Sequence, residues 1–415
     1  MTQAPSLGAP GRAPFDGIRV VDLSHAGAGP FATMQLADLG AQVVKIERLR
    51  HGDGSRFFGR QLGPKGASDY FLALNRNKAS VAVDFSTPAG ADIVRRLIRD
   101  ADVVIENFRP GVLARHGLDF ASLAPTHPDL VYCSISAFGP TGPWVAKGGN
   151  DITIQGLSGL MAGTGEPDGG PIKLGAPICD LTAGLYAAFA IAAALRLRGQ
   201  GEGAQLVEIP MLDAAISLMA SFVPSVAAGA APPTPEGSGH AQIVPYQAFV
   251  CADGRHLIVG AFSNHFWRAL CKVVGLPELL ESEDYRSNEL RVANRARLVP
   301  MLEKAFASRP RSEWLQLLEE ASVPCSPVHD IAEALHSEQA AHNQILNWVG
   351  EGPRRVGLTR QPIRGSRWRP VPAAVPPRLG EDTRSVLSQE LSMSDTDIDR
   401  YIAEGVLECA DECDD

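Results

Sequence analysis

The sequence has no stretch in which basic residues gather around aromatic ones. Its 38 Lys+Arg against 47 Asp+Glu leave a net charge of −9, which argues against a nucleic-acid or anionic-membrane surface. Any anionic ligand must then be met by a few local donors. The chain also lacks paired cysteines. Its seven, Cys133, Cys179, Cys251, Cys271, Cys325, Cys409 and Cys413, form no CxxC pair and no Cys/His run at zinc-ligand spacing. That argues against a disulfide framework and a metal site, and fits a reducing cytoplasm. No apolar run reaches the ~20 residues that span a bilayer. The longest, residues 181–195, is dominated by Ala and Gly and reads as a tightly packed buried helix. Residues 1–16 begin Gly/Pro-rich, without the apolar core of an export signal, and read as a disordered lead-in.

What is present is alternation. From Gly17 the chain reads IRVVDLS, PFATMQLADLG, AQVVKIE, a strand, a helix and a strand at βαβ spacing, which implies a parallel sheet. SVAVDFS, a helix opened by Thr87 and Pro88, DVVIENF and LVYCSISAF continue the theme. The predicted fold class is α/β: a large Rossmann-like parallel-sheet domain over 17–228 and a smaller α+β domain over 241–345. The Pro/Gly/Ser passage at 229–240 links them. Residues 346–405 read as a return segment packing on the large domain, and 406–415 as an acidic tail. In the smaller domain, YQAFVCADGRHLIVGA predicts a hairpin with an Asp253-Gly254 turn.

After the first strand, Gly27-Ala28-Gly29-Pro30-Phe31-Ala32 forms GxGxxA at a helix start, with Glu47 twenty residues on. This outlines a dinucleotide fingerprint. Glycines here permit close approach of backbone to a phosphate, and a helix N-terminus offers free N–H groups. A strand-to-helix turn needs glycine without any ligand, so the loop alone leaves the matter open.

GIRVVDLSHAGAGPFATMQLADLGAQVVKIE, LNRNKASVAVDF, DVVIENFRPGVLARHGLD, SISAFGPTGPW and GAPICDLTAGLYAAFAIAAAL occur in that order. Together they resemble the family III CoA-transferases, which include formyl-CoA transferase and carnitine CoA-transferase. IVPYQAF followed by LPELLESEDYRSNELRVANR looks most like the succinyl-CoA-dependent dicarboxylate subgroup, the glutarate and hydroxymethylglutarate type. The resemblance implies a cytoplasmic enzyme that takes an acyl-CoA and a small carboxylic acid as substrates. CoA thioester would be its co-substrate, with no metal and no NAD. It implies an interlocked homodimer, with the extended segments near 225–240 and 350–380 as links.

The resemblance places the nucleophile at Asp180, at the head of the Ala-rich helix. Its carboxylate would attack the thioester and carry CoA as an aspartyl thioester. A helix N-terminus favours an anion, so a low pKa is expected for Asp180; an ordinary N-cap role is the alternative. The family's CoA contacts fall on Gly27, Ala28, Arg48, Val83, Asn107, Phe108, Arg109, Arg115, Lys147 and Asn150. Formyl-CoA transferase has glutamine where this chain has Gly27. The resemblance also puts a mobile substrate-covering loop at Gly237-Ser238-Gly239. Arg56, Arg76 and His240 are the candidates for clamping the remote carboxylate of a dicarboxylic acid. Three rivals stay open: a 2-methylacyl-CoA racemase, an NAD-dependent dehydrogenase and a non-catalytic CoA-binding protein. Against the racemase, Asn150 stands where that relative uses a proton-transferring histidine, and an amide cannot serve as acid or base near pH 7.

Overall fold

β-Branched runs and capped helices alternate along the first part of the chain and build a doubly wound sheet. Residues 12–63 and 66–410 are described by the computed structural model, and they divide into two units. The first comprises residues up to 160, 173–228 and 339 onward; the second comprises 161–172 and 229–338. Residues 161–172 therefore leave the large domain to which the 17–228 boundary assigns them. The return segment begins at 339 rather than 346.

In the first unit the elements run β1 (Arg19–Asp22), α1 (Ala28–Asp38), β2 (Gln42–Glu47), α2 (Asp69–Leu74), β3 (Lys78–Val83), α3 (Pro88–Arg99), β4 (Val103–Glu106), α4 (Phe120–Leu123), β5 (Val131–Ser136), α5 (Asp151–Leu157), α6 (Ile178–Arg198), β6 (Gln205–Pro210) and α7 (Met211–Ser217). The sheet order is β3-β2-β1-β4-β5-β6, all parallel, with Leu407–Glu408 added antiparallel to the outer edge of β3. The acidic tail assigned to 406–415 is thus corrected at its start: Val406 and Leu407 are buried, and Leu407 pairs with Val83. Residues 1–11 and 411–415, with Cys413, lie outside the described residues.

Successive strand residues face opposite sides. Val21, Val44 and Val104 pack under α3 with Ile93 and Leu97, while Val20, Val43 and Val103 pack under α1 and α6 with Leu36 and Ile191. Thr87 caps α3 by accepting from Gly90 N, and Pro88 occupies its first turn. The strand order reverses between β1 and β4, so the loops after β1, β4 and β5 open a crevice at the carboxyl ends of the strands.

Two features hold that crevice's walls. A Cβ on Gly184 would stand 2.6 Å from Ala28 O, so α1 and α6 cross with backbones in contact. Gly184→Ala gains up to ~1 kcal/mol of helix propensity but incurs about 1–3 kcal/mol of overpacking. A net loss of stability by urea titration is the expected outcome, with a fall in any activity that depends on where α6 begins.

Behind the β1 loop lies a buried ionic network. Lys45 Nζ is 3.0 Å from Asp53 and donates to Ser24 O at 2.7 Å; Lys78 Nζ donates to Asp22 at 3.1 Å and to Pro30 O at 2.9 Å. Burial opposes the charge on Asp53. Lys45 and the N–H groups of Ala26 and Ser55 outweigh it and hold the carboxyl well below its usual range. Burial pulls Lys78 down to about 8 despite Asp22.

α6 is long and apolar enough by composition to cross a membrane, yet Ala183, Ala187, Ile191 and Ala194 on one face are buried against the sheet. The expectation of a tightly packed buried helix is corrected on the other face, where Leu185, Tyr186 and Phe189 are exposed, Phe189 at 73%.

In the second unit β7 (Tyr246–Val250) and β8 (His256–Gly260) form a hairpin whose turn puts Gly254 at φ 73°, and β9 (Cys325–Pro327) extends it. Three helices, Asn264–Val273, Arg295–Phe306 and Arg311–Glu320, cover one face around Phe249, Trp267, Phe306 and Trp314.

Candidate active site

The crevice contains a cleft of about 560 Å³ lined by the β1 loop (His25, Ala26, Gly27, Ala28), the β4 loop (Asn107–Pro110), the β5 loop (Lys147–Asn150) and Asp180. Five of the nominated contacts outside the β1 loop, Asn107, Phe108, Arg109, Lys147 and Asn150, therefore meet here with Gly27, Ala28 and Asp180. Asn107 ties the walls together: its amide donates to His25 O at 2.7 Å, and its Oδ1 accepts from His25 N at 2.9 Å. Asn150 caps α5 by accepting from Thr153 N and Oγ1. Arg109 lies across Gly148, where a Cβ would stand 2.7 Å from its Nη2. Lys147 sits 4.6 Å above the Trp144 ring. Both cations are exposed, with no ion pair among the described residues.

A second recess of about 200 Å³ shares His25 and Phe108 with the cleft and adds Phe85 and Arg48 over a floor of Leu23 and Ile46. Phe85 and Phe108 meet edge to face at 6.0 Å. The two cavities adjoin at His25 and Phe108, with a carboxylate and two cations, Arg109 and Lys147, lining the larger chamber and aromatic rings with Arg48 lining the smaller.

Asp180 is the third residue of α6, not its N-cap, which is Pro177. Its notch is cut by Gly27: a Cβ there would stand 2.4 Å from Asp180 Oδ2. Gly27 therefore admits the carboxylate rather than supplying a donor. Gly29 abuts Ser24, where its missing Cβ leaves 2.2 Å. So these two glycines of GxGxxA serve internal packing.

The expected low pKa of Asp180 is corrected. Burial, and secondarily the negative charge of Asp151, push it up to about 7. The helix gives it no relief, because the N–H groups of Cys179 and Asp180 both donate to Asp151 Oδ1, at 2.8 and 3.2 Å, and Ile178 N donates to Ala176 O. Cys179 is no rival nucleophile: it is buried, and burial with its two acidic neighbours pushes the thiol up to about 12.

Five nominated residues line neither chamber. Val83 is buried within β3. Arg115 is exposed on the 3₁₀ turn Leu113–His116 and lines neither chamber. Arg56 is buried and spent on Glu47, its Nη2 at 2.7 Å from Oε2 and its Nε at 2.8 Å from Oε1. Arg76 is buried and paired with Asp38 at 2.6 Å. Neither arginine is free to clamp a substrate carboxylate, because each neutralises an acid that would otherwise be buried alone. His240 belongs to the second unit. There its Nδ1 accepts from Gln242 N, its carbonyl accepts from Arg295, and Arg295 pairs with Glu236 at 2.6 Å. Gly237, at φ 60°, donates its N–H to Gly165 O in the same unit.

The fingerprint acid is committed as well. Glu47 accepts from Ser80 Oγ at 2.7 Å and from Asp53 N at 2.9 Å besides Arg56, so it is not available to a ribose hydroxyl. Among the described residues no group of three His, Cys, Asp or Glu side chains is placed to hold a metal ion.

Sequence reasoning missed two residues. The long-range bonds of Asp151 to α6 leave no local trace. Tyr70, on α2, had no signal. Burial and the charges of Asp180, Asp151 and Asp53 raise its phenol pKa, so it stays an O–H donor within the electrostatic reach of Asp180.

The sequence model described as CoA-transferase family III matches residues 15–383. The succinyl-CoA:glutarate CoA-transferase of Mus musculus is 36% identical over 396 residues, covering 95% of this chain and 90% of that protein. The succinate–glutarate CoA-transferase of Agrobacterium fabrum is 36% identical over 384 residues, covering 91% and 95%. Among solved structures, a CAIB/BAIF family protein from Brucella suis superimposes with a TM-score of 0.85 at 35% identity, over 92% of this chain and 100% of that one.

Proposed function

This chain belongs to CoA-transferase family III, and from that premise we propose that it moves CoA from succinyl-CoA to a small dicarboxylic acid, with glutarate the first acceptor to try. The observation that carries the reading is the position of Asp180: a half-buried carboxylate without a cationic partner among the described residues, in the same cleft as Arg109 and Lys147, with Arg48 in the adjoining recess. The adjoining chambers suit CoA. The Phe85–Phe108 recess would take the adenine, Arg48, Arg109 and Lys147 would meet the phosphates as charge-assisted partners, and the pantetheine arm would lead to Asp180.

In the proposed mechanism Asp180 Oδ attacks the thioester carbonyl and expels CoA thiolate, leaving an aspartyl–succinyl anhydride. The thiolate attacks the aspartyl carbonyl, succinate departs, and an aspartyl–CoA thioester remains. The acceptor carboxylate then attacks that thioester and the thiolate returns to the acceptor acyl carbon, which regenerates Asp180. Tyr70 offers a donor to the oxyanions on the aspartyl side. One thioester replaces another, so no ATP enters.

We also propose a cytoplasmic homodimer. The exposed apolar side chains of α6, with Ile216, Phe222 and Val223 beyond it, form a surface of the kind that a second copy covers. The alternatives have less support. Asn150 is occupied as a cap and has no titratable group for racemisation, and Glu47 is not available for NAD. Incubation with succinyl-CoA and a panel of acids, read by mass spectrometry, should yield a new acyl-CoA and succinate in equal amounts. Exchange of α-protons with deuterium oxide without transfer would overturn the reading in favour of a racemase.

A further inference from the structure

Asp151 is a second carboxylate next to the nucleophile, and no step of the proposed mechanism uses it. Both of its oxygens are engaged: Oδ1 accepts from the N–H groups of Cys179 and Asp180, and Oδ2 accepts from Gln155 Nε2 at 2.5 Å. Gln155 is fully buried and is itself held by Leu174 N, 2.9 Å from its Oε1. Asp151 is therefore fixed in place, with both oxygens engaged within the protein.

Without Asp151, the free N–H groups at the start of α6 would bind the nearest anion, and Asp180, three residues into the helix, is that anion. We propose that Asp151 is a positioning residue that keeps the nucleophile reactive: it takes the helix N–H groups itself, denying them to Asp180, and sets a fixed negative charge beside the attacking carboxylate. This rests on Asp180 being the nucleophile. A carboxylate stripped of donors is more basic and a better nucleophile toward a thioester carbonyl. Orientation and activation thus come from one side chain on a neighbouring helix. The charged or titratable groups that face Asp180 are Asp151 from α5, Tyr70 from α2 and Cys179 from its own helix; His25, Arg109 and Lys147 line the same cleft.

The sign follows. Asp180 must be ionised to attack, so transfer falls as pH drops through its pKa of about 7. Removing the Asp151 charge lowers that pKa and moves the acid limb of kcat/KM to lower pH, by about one unit or more. The test compares this limb in wild type, Asp151→Asn, which keeps an acceptor for the helix N–H groups, and Asp151→Ala. Alongside, the Asp180 carboxyl of the wild-type enzyme is titrated by carbon-13 NMR and assigned by its loss in Asp180→Asn. Downward displacement of the limb in both Asp151 variants, with a wild-type carboxyl titrating near neutrality, is expected. A limb that stays in place, or a wild-type Asp180 titrating in the ordinary carboxylate range, overturns the proposal. Should Asp151→Ala not fold, Asp151→Asn still decides, because it keeps the acceptor for the helix N–H groups while removing the charge. Full activity in Asp180→Asn would instead overturn the assignment of the nucleophile, a separate failure.

Discussion

Asp180→Asn is expected to transfer CoA at less than about a thousandth of the wild-type rate, since removing a covalent nucleophile leaves only binding and electrostatic help. The amide is nearly isosteric, so the notch at Gly27 and the α1–α6 crossing should survive, and CoA affinity should change little. Losing a negative charge next to Asp151 removes a repulsion, so the variant should melt no lower than wild type. The check is paired. Turnover is followed by mass spectrometry, and the covalent adduct is sought by hydroxylamine trapping after incubation with succinyl-CoA. Wild type should yield a hydroxamate at residue 180, and the variant none. Near-wild-type turnover in the variant would place the chemistry on another group.

Lys45→Met should destabilise the fold by about 3–5 kcal/mol, the range for breaking a buried ion pair from one side. Lys45 and Asp53 are both essentially inaccessible to solvent. Without the ammonium, Asp53 and Asp22 are left with Lys78, and Ser24 O loses its donor. Methionine fills similar volume, so the loss is electrostatic rather than a cavity effect. The pH dependence separates the two. Asp53 is depressed in the folded protein, so wild type draws stability from it above its unfolded pKa and loses that stability as pH falls through the folded value. In the variant the carboxyl becomes easier to protonate, and acidification removes the unpaired charge. The deficit, measured by urea titration, should therefore be largest near neutrality and shrink on acidification. A deficit constant with pH would mean packing, not charge. Changing Asp53 to leucine as well should not restore stability, because Asp53 also accepts from Ala26 N and Ser55 N. Those bonds shape the loop that carries Gly27.

Much of this protein was legible in order of residues alone. Short β-branched runs at β1, β2 and β4, a Thr-Pro start before α3 and an Asp-Gly turn in the hairpin each specify local torsions, and the elements follow. Motif order led to Asp180 and to the contacts at Asn107, Phe108, Arg109 and Lys147 that gather in one cleft. Local pattern could not say whom a charged side chain would meet. Arg76 finds Asp38 thirty-eight positions away, and Asp151 reaches α6 across twenty-eight. Until those partners are known, a buried arginine and a substrate clamp read alike in sequence. The same holds for Asp180. Its place at a helix start predicts a stabilised, weakly basic anion, whereas its burial and the neighbouring Asp151 carboxylate that claims the helix N–H groups raise it to about 7. Sequence settled which residues are present and which surface each element buries. Only the folded chain settled which charges neutralise one another and which is left to react, because electrostatic energy depends on distances through space and on exclusion of water, and neither is a property of neighbours along the chain.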